Sequence, residues 1–262
     1  MIENHYRDVL KKVPEDRVLG VFLEGSQNYG MSTENSDIDT KAYLLPGLGD
    51  IIFCEDPIST TWIRENEEHI SAKDIRLVMN CFRKQNFNFV ETLFTPYYIL
   101  NPKYEEYLKP LFDNKERIAR YNEYAATRAM WGLTLNNKKR LLSPVKGQEY
   151  YYKALYQLKR IEYVMESYIK GLPYALCMYP PKELRDECIA IKKGCYTKDE
   201  AVKLADEIYN HVANMYANFT ENLSPIKVDE EIDRLLDDVL SKLMTDYLEY
   251  KIMQYKNALL VK

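Results

Sequence analysis

The stretch Val18–Pro46, VLGVFLEGSQNYGMSTENSDIDTKAYLLP, decides how the rest of the chain is read. Val18 to Phe22 is an apolar, β-branched run that leads into a Gly25-Ser26 turn. Ser36 to Leu45 starts on Asp37 and Asp39 and continues into a second apolar run. The pattern predicts strand, loop with a short helix, strand. On a strand, alternate side chains share a face, so Asp37 and Asp39 are expected on one face and Ile38 and Thr40 on the other. Two neighbouring carboxylates repel unless a cation lies between them, and a divalent metal is the usual solution. The Gly25-Ser26 turn can bring bare backbone N–H groups against an anion at the start of the next helix. Phosphate at one end and metal at the other describe a nucleotide site. An isolated Asp-x-Asp is also common on solvated surfaces, so the motif counts only with its strand context.

The 262 residues are 46% hydrophobic and 29% charged, which describes an ordinary globular protein with length enough to bury a core. A net charge of −4 and a pI near 5.6 give no global electrostatic case for nucleic-acid binding, although a local basic groove is compatible with them. The five cysteines, at 54, 81, 177, 188 and 195, contain no Cys-x-x-Cys and form an odd set, so neither a zinc knuckle nor a disulfide framework is indicated. A reducing, cytoplasmic setting suits them, and with no long apolar run no membrane association is expected. His5, His69 and His211 are well separated, which argues against a histidine-centred hydrolase or a zinc site. The 23 tyrosines are expected on amphipathic helix faces, where a ring buries its body and wets its hydroxyl.

Outward from the central stretch, Ile2 to Val13 has helical spacing and ends at Pro14. Ile51-Ile52-Phe53 is expected to extend the second strand or open a connection, and Pro57 to Asn66 reads as partly extended. Asp74 is an N-cap candidate for a helix carrying Ile75, Val78, Met79 and Phe82. Phe89 to Phe94 reads as a strand with one acid, Glu91. From Asn101 onward the pattern is helical, with helices predicted over 114–135, 148–169, from Pro180-Pro181 to Ile191, from the cap Thr197 to about Asn218, and over 228–256. Lys153, Gln157 and Arg160 fall on one helix face, which either presents cations to a triphosphate or is simply solvated.

The Gly25-Ser26, Tyr29-Gly30 and Ser36-Asp37-Ile38-Asp39 pattern resembles the signature of the DNA polymerase beta-like nucleotidyltransferase superfamily. GSQNYGMSTENSDIDTKA is similar to a branch of predicted bacterial and phage nucleotidyltransferases, some of them linked to RNA repair. Asn86-x-Asn88-x-x-Glu91-x-Leu93-Phe94, Lys153-Ala154 with Arg160, Gly171 and Ile191-Lys192-Lys193-Gly194 extend the resemblance along the chain. It implies an α+β fold, with a small mixed sheet in a catalytic domain over residues 1–110 and an α-helical domain over 111–262 that closes the cleft. It implies transfer of a nucleoside monophosphate from an NTP to a hydroxyl, with Mg²⁺ or Mn²⁺ held by Asp37, Asp39 and Glu91. Gly25, Ser26, Tyr29, Gly30, Lys153 and Arg160 would bind the nucleotide. The acceptor is left open, with RNA or tRNA as a candidate; Asp74 and Glu68 are rivals to Glu91 as third carboxylate. Two further readings share the fold, a nucleotide-sensing pseudoenzyme and an RNA-end-binding module. Acceptor, NTP base and oligomeric state are not encoded legibly.

Overall fold

Both faces of the central sheet are covered, and that is why the strand over Val18–Leu23 reads as a continuous apolar run. In the computed structural model, which describes residues 2–34 and 36–260, α1 (Ile2–Lys12) precedes β1 (Val18–Glu24) and β2 (Asp39–Leu44). After α2 (Leu48–Ile52) come β3 (Ser59–Ile63), β4 (His69–Asp74), α3 (Ile75–Arg83), α4 (Phe87–Val90) and β5 (Tyr98–Leu100). The strand order is β3-β4-β2-β1-β5, with β2 and β4 parallel and the other neighbours antiparallel. A register shift between Val18 and Gly20 puts residues three apart on the same side. Val18 and Val21 therefore join Ala42, Leu44, Ile70 and Ala72 beneath Val9 of α1. Leu19 and Phe22 join Tyr43 and the α3 side chains Ile75, Val78, Met79 and Phe82 on the opposite face.

The helical half follows: α5 (Glu105–Asp113), α6 (Lys115–Ala119), α7 (Glu123–Arg140), α8 (Tyr152–Ile169), α9 (Tyr174–Met178), α10 (Lys182–Lys192), α11 (Lys198–Thr220) and α12 (Glu230–Leu260). The chain is thus α+β, a mixed sheet with flanking helices and then a helical region. α8 is its axis, packed by α7, α9, α10 and α11 and burying Leu155, Leu158, Ile161, Val164 and Met165. Tyr150, Tyr156, Tyr168, Tyr174 and Tyr247 are among the largest fully buried side chains. The Tyr168 hydroxyl donates to the Ala119 carbonyl at 3.1 Å, and the hydroxyls of Tyr156 and Tyr247 are buried with no hydrogen-bond partner among the described residues, so these tyrosines bury the tip expected to be wet. Thr197 and Glu200 form a capping box at the head of α11, as the Thr197 cap predicts. α12 returns to the sheet half, where Arg83 donates to Asp233 and Asp237 at 2.6 Å each; such half-exposed pairs fix register more than they stabilise. Among the described residues no helix is long and apolar enough to cross a membrane.

Several expectations are corrected. β2 begins at Asp39, so Asp37 lies in the preceding loop rather than on the strand, and the two acids do not share a strand face. Phe89–Phe94 is not a strand: α4 runs on into a 3₁₀ turn, Glu91–Leu93. Its buried apolar side chains Phe87, Val90 and Leu93 recur every three residues, the spacing of a helical turn, whereas a strand would alternate. Ile51-Ile52-Phe53 is the end of α2, with Ile52 and Phe53 exposed. The helix expected over 114–135 breaks at Arg120–Asn122, because the Asn122 side chain caps α7 by accepting from the Ala125 N–H at 2.8 Å.

Candidate functional site

The Gly-Ser turn is built from residues that leave the backbone no alternative. Gly25 has φ +79°, a left-handed conformation, and nothing lies within 4 Å of where a β-carbon would stand. Glycine is therefore required there by conformation, not by crowding. A 3₁₀ turn, Gly25–Tyr29, follows. Asn28 braces it, donating to the Leu23 carbonyl at 2.6 Å and accepting from the Thr95 hydroxyl at 2.7 Å. At its end Gly30 is again left-handed, φ +66°, and a β-carbon would come within 2.7 Å of the Arg185 guanidinium. Tyr29 turns inward and is buried.

The open side of this turn faces a cavity of about 820 Å³ between the end of the sheet and the helices α8 and α10. Its lining includes Gly25, Ser26, Asp37 and Asp39 together with Lys153, Lys192 and Lys193. Asp37 and Asp39 are thus brought together in space although only Asp39 is on the strand. Asp39 Oδ1 accepts from the His69 backbone N–H at 3.1 Å and lies 3.2 Å from His69 Nδ1, which orients that carboxylate from the neighbouring strand β4. Lys192, at the end of α10, is the residue that sequence reasoning missed as a site component. Its ammonium donates to the Met31 carbonyl at 2.9 Å, to Ser36 Oγ at 3.1 Å and to Ser26 Oγ at 3.2 Å. One side chain from the helical half therefore ties the Gly-Ser turn to the loop that carries Asp37. Burial and the nearby Lys153 lower its pKa, and Asp37 is among the groups that work against that shift. The only signal for it in the sequence is its place in Ile191-Lys192-Lys193-Gly194.

Among the described residues no three His, Cys, Asp or Glu side chains converge on one point that could hold a metal ion. Asp37 and Asp39 are nonetheless a fitting donor pair for Mg²⁺ or Mn²⁺. A hard divalent cation prefers carboxylate oxygen, and Mg²⁺ is commonly held by one or two carboxylates with water and substrate phosphate completing its shell. The cavity around the two acids leaves room for both.

Glu91, Arg160 and Tyr29 lie in a second, smaller chamber of about 290 Å³ that shares Gly25, Lys153 and Gln157 with the first. Glu91 does not stand beside the two aspartates. It is buried, accepting from the Arg160 guanidinium and from the Tyr29 hydroxyl. Arg160 is only 3% exposed and stacks 3.5 Å from the centre of the Tyr29 ring. Burial works against its charge, but Glu91 and the tyrosines outweigh burial and its pKa is raised. Burial pushes the Tyr29 phenol well above its ordinary value, and Glu91 adds to this while Arg160 opposes it. Arg160 is thus a buried partner of Glu91 and does not present its charge to the larger cavity. Beside them, Lys41 donates to the Glu24 carboxylate and, at 2.9 Å, to the Asn88 carbonyl. Burial raises the Glu24 pKa despite Lys41.

The rival acids have structural partners elsewhere. Asp74 is fully buried and caps α3, accepting from the Arg76 backbone at 2.8 Å and from its guanidinium at 2.7 Å. Glu68 pairs with Arg64 and accepts from the buried His5, whose other ring nitrogen lies 2.9 Å from Thr40 Oγ1. Thr40 alternates with Asp39 along β2, so this network sits behind the sheet.

No family model matches the chain, and no curated protein matches it. Among solved structures, the chain is similar to the nucleotidyltransferase-like protein from Exiguobacterium sibiricum 255-15, at 12% identity and a TM-score of 0.33, over 96% of this chain and 92% of that one.

Proposed function

We propose that this protein transfers a nucleoside monophosphate from an NTP to a hydroxyl group of an acceptor, with RNA or tRNA as the acceptor class to test first. The observation that carries the reading is one cavity lined by Asp37 and Asp39, by Lys153, Lys192 and Lys193, and by the Gly25-Ser26 turn. The acids suit a divalent cation and the lysines suit phosphate.

Mg²⁺ or Mn²⁺ held by Asp37 and Asp39 would supply charge neutralisation at the α-phosphate and lower the pKa of the acceptor hydroxyl. The chain's own residues do the rest. Ser26, Lys192 and Lys193 bind the β- and γ-phosphates, and Lys153 stands at the junction of the two chambers. Lys192 also holds the Met31 to Ser36 loop, and with it the position of Asp37. The acceptor oxygen bonds to the α-phosphorus, the bond from that phosphorus to the β-bridging oxygen breaks, pyrophosphate leaves, and the acceptor hydroxyl loses its proton. No side-chain nucleophile takes part, so positioning and electrostatics carry the catalysis. In this reading Glu91 is a positioning residue: with Arg160 and Tyr29 it anchors the back of the Gly-Ser turn to α8.

The test is incubation with each α-labelled NTP, Mg²⁺ or Mn²⁺, and candidate acceptors including tRNA and total protein. Transfer of label to an acceptor that is lost in Asp39→Asn supports the reading. Nucleotide binding with no transfer to any acceptor would instead point to a nucleotide-sensing role.

A further inference from the structure

The chamber of about 290 Å³ beside the larger cavity is not accounted for by phosphate or metal. Its buried charges are paired, Glu91 with Arg160 and Glu24 with Lys41 behind it, and two exposed cations, Arg140 and Lys153, complete the charged part of its lining. Beside these charges the lining offers amides. Asn88 and Asn136 line this chamber alone, and Gln157 stands between it and the larger cavity. Among the described residues none of these three side-chain amides makes a hydrogen bond. Behind them the chamber is closed by the stacked Arg160 and Tyr29 and by Phe87, all buried. It is open toward the larger cavity, with which it shares Gly25, Lys153 and Gln157.

A chamber whose buried charges are already paired and whose lining holds free amides suits an uncharged planar heterocycle, with Arg140 and Lys153 left for the phosphates attached to it. Each amide offers a donor and an acceptor side by side, the pattern a nucleobase edge presents. From these features we infer that the smaller chamber holds the nucleobase of the NTP, with Lys153 and Gln157 at the junction where base and triphosphate part. The inference rests on the nucleotide reading of the larger cavity. The chamber's volume, at the low end for ligand pockets, admits a ring rather than a whole acceptor molecule.

The test uses the full chain with Mg²⁺ and calorimetric titration of three kinds of probe: tripolyphosphate, ribose 5′-triphosphate and the four NTPs. The expected result is that at least one NTP binds tenfold or more tighter than ribose 5′-triphosphate. Asn136→Trp, which fills the chamber from an exposed position on α7, should bring that NTP to the level of ribose 5′-triphosphate and leave the base-free probe unchanged. Equal binding of ribose 5′-triphosphate and every NTP by the wild-type protein overturns the inference while leaving the phosphate cavity intact. Asn136→Trp weakening both probes alike also overturns it. Failure of tripolyphosphate and of every NTP to bind overturns the nucleotide reading itself, and the base chamber with it.

Discussion

Glu91→Gln separates the two roles open to that residue. Glu91 and Arg160 are 6% and 3% exposed, and the guanidinium has Tyr29 and Phe87 rings around it rather than water. Removing the negative partner leaves a buried cation without compensation, which costs about 3–5 kcal/mol. Glutamine keeps one oxygen as an acceptor, so the lower end, about 3 kcal/mol, is expected. With a urea m-value of about 3 kcal/mol/M, the midpoint should fall by about 1 M. Arg160→Met should cost a similar amount by stranding the carboxylate. The double variant should lose less than the sum of the two, with a coupling of about 2–3 kcal/mol. The assay is equilibrium urea unfolding of the wild type, both single variants and the double variant, followed by tryptophan fluorescence. Strictly additive losses, or a Glu91→Gln midpoint within about 0.2 M of wild type, would refute the clamp. If Glu91 were instead a metal ligand facing the aspartates, its neutralisation would leave stability intact or raise it and would remove only the chemistry.

Other consequences follow from the same geometry. Asp37→Asn and Asp39→Asn should each abolish label transfer while keeping the wild-type urea midpoint or raising it slightly, since one carboxylate no longer repels the other. Lys192→Met should weaken NTP binding by one to two powers of ten, because a charged hydrogen bond is worth roughly 1.5–3 kcal/mol, and calorimetry should show no such change for Ser59→Ala on the far edge of the sheet. Ser26→Ala should stay within the same one to two powers of ten, and a complete loss of transfer would give the hydroxyl a larger role than phosphate contact. At pH 8 a thiol reagent should label the exposed Cys54 and Cys195 and spare the buried Cys177 and Cys188 until urea is added. Burial pushes the last two up to about 11 and about 12. Because their folded values lie above the ordinary thiol value of 9.0, their contribution to stability is present below that value and disappears as the pH rises through the folded ones.

The fold class was legible because the strongest signals were local. Val18 to Leu23 is apolar throughout and is buried throughout in β1. Asp74 and Thr197 cap the helices they precede, a role that side-chain chemistry alone assigns. Where reading failed, the segment was short or its partners were distant. Phe89 to Phe94 reads as a strand on its aromatic and β-branched content, yet Phe87, Val90, Glu91 and Phe94 also fit i, i+3, i+4, i+7, and over so short a segment tertiary packing decides. β5 spans only Tyr98–Leu100, and its pairing with β1 across about eighty residues leaves no local trace. Of the site, the Gly25-Ser26 turn and the two aspartates could be found because their conformational and electrostatic demands lie within one stretch. Lys192 could not, since its three acceptors are more than 150 residues upstream. Arg160 was expected to face phosphate because its spacing places it with Lys153, but spacing does not show which of two cations meets a buried acid.

The most direct test of the central claim, that Asp37 and Asp39 hold a divalent cation against the triphosphate of a bound nucleotide, is Mn²⁺ binding followed by electron paramagnetic resonance. The titration uses the wild type and the Asp37→Asn/Asp39→Asn variant, each with and without an NTP analogue carrying a non-hydrolysable α,β-methylene bridge. The account predicts that the analogue and Mn²⁺ strengthen each other's binding to the wild type, and that this mutual effect is absent in the variant although the fold is retained. Equal Mn²⁺ uptake by the two proteins in the presence of the analogue would contradict it.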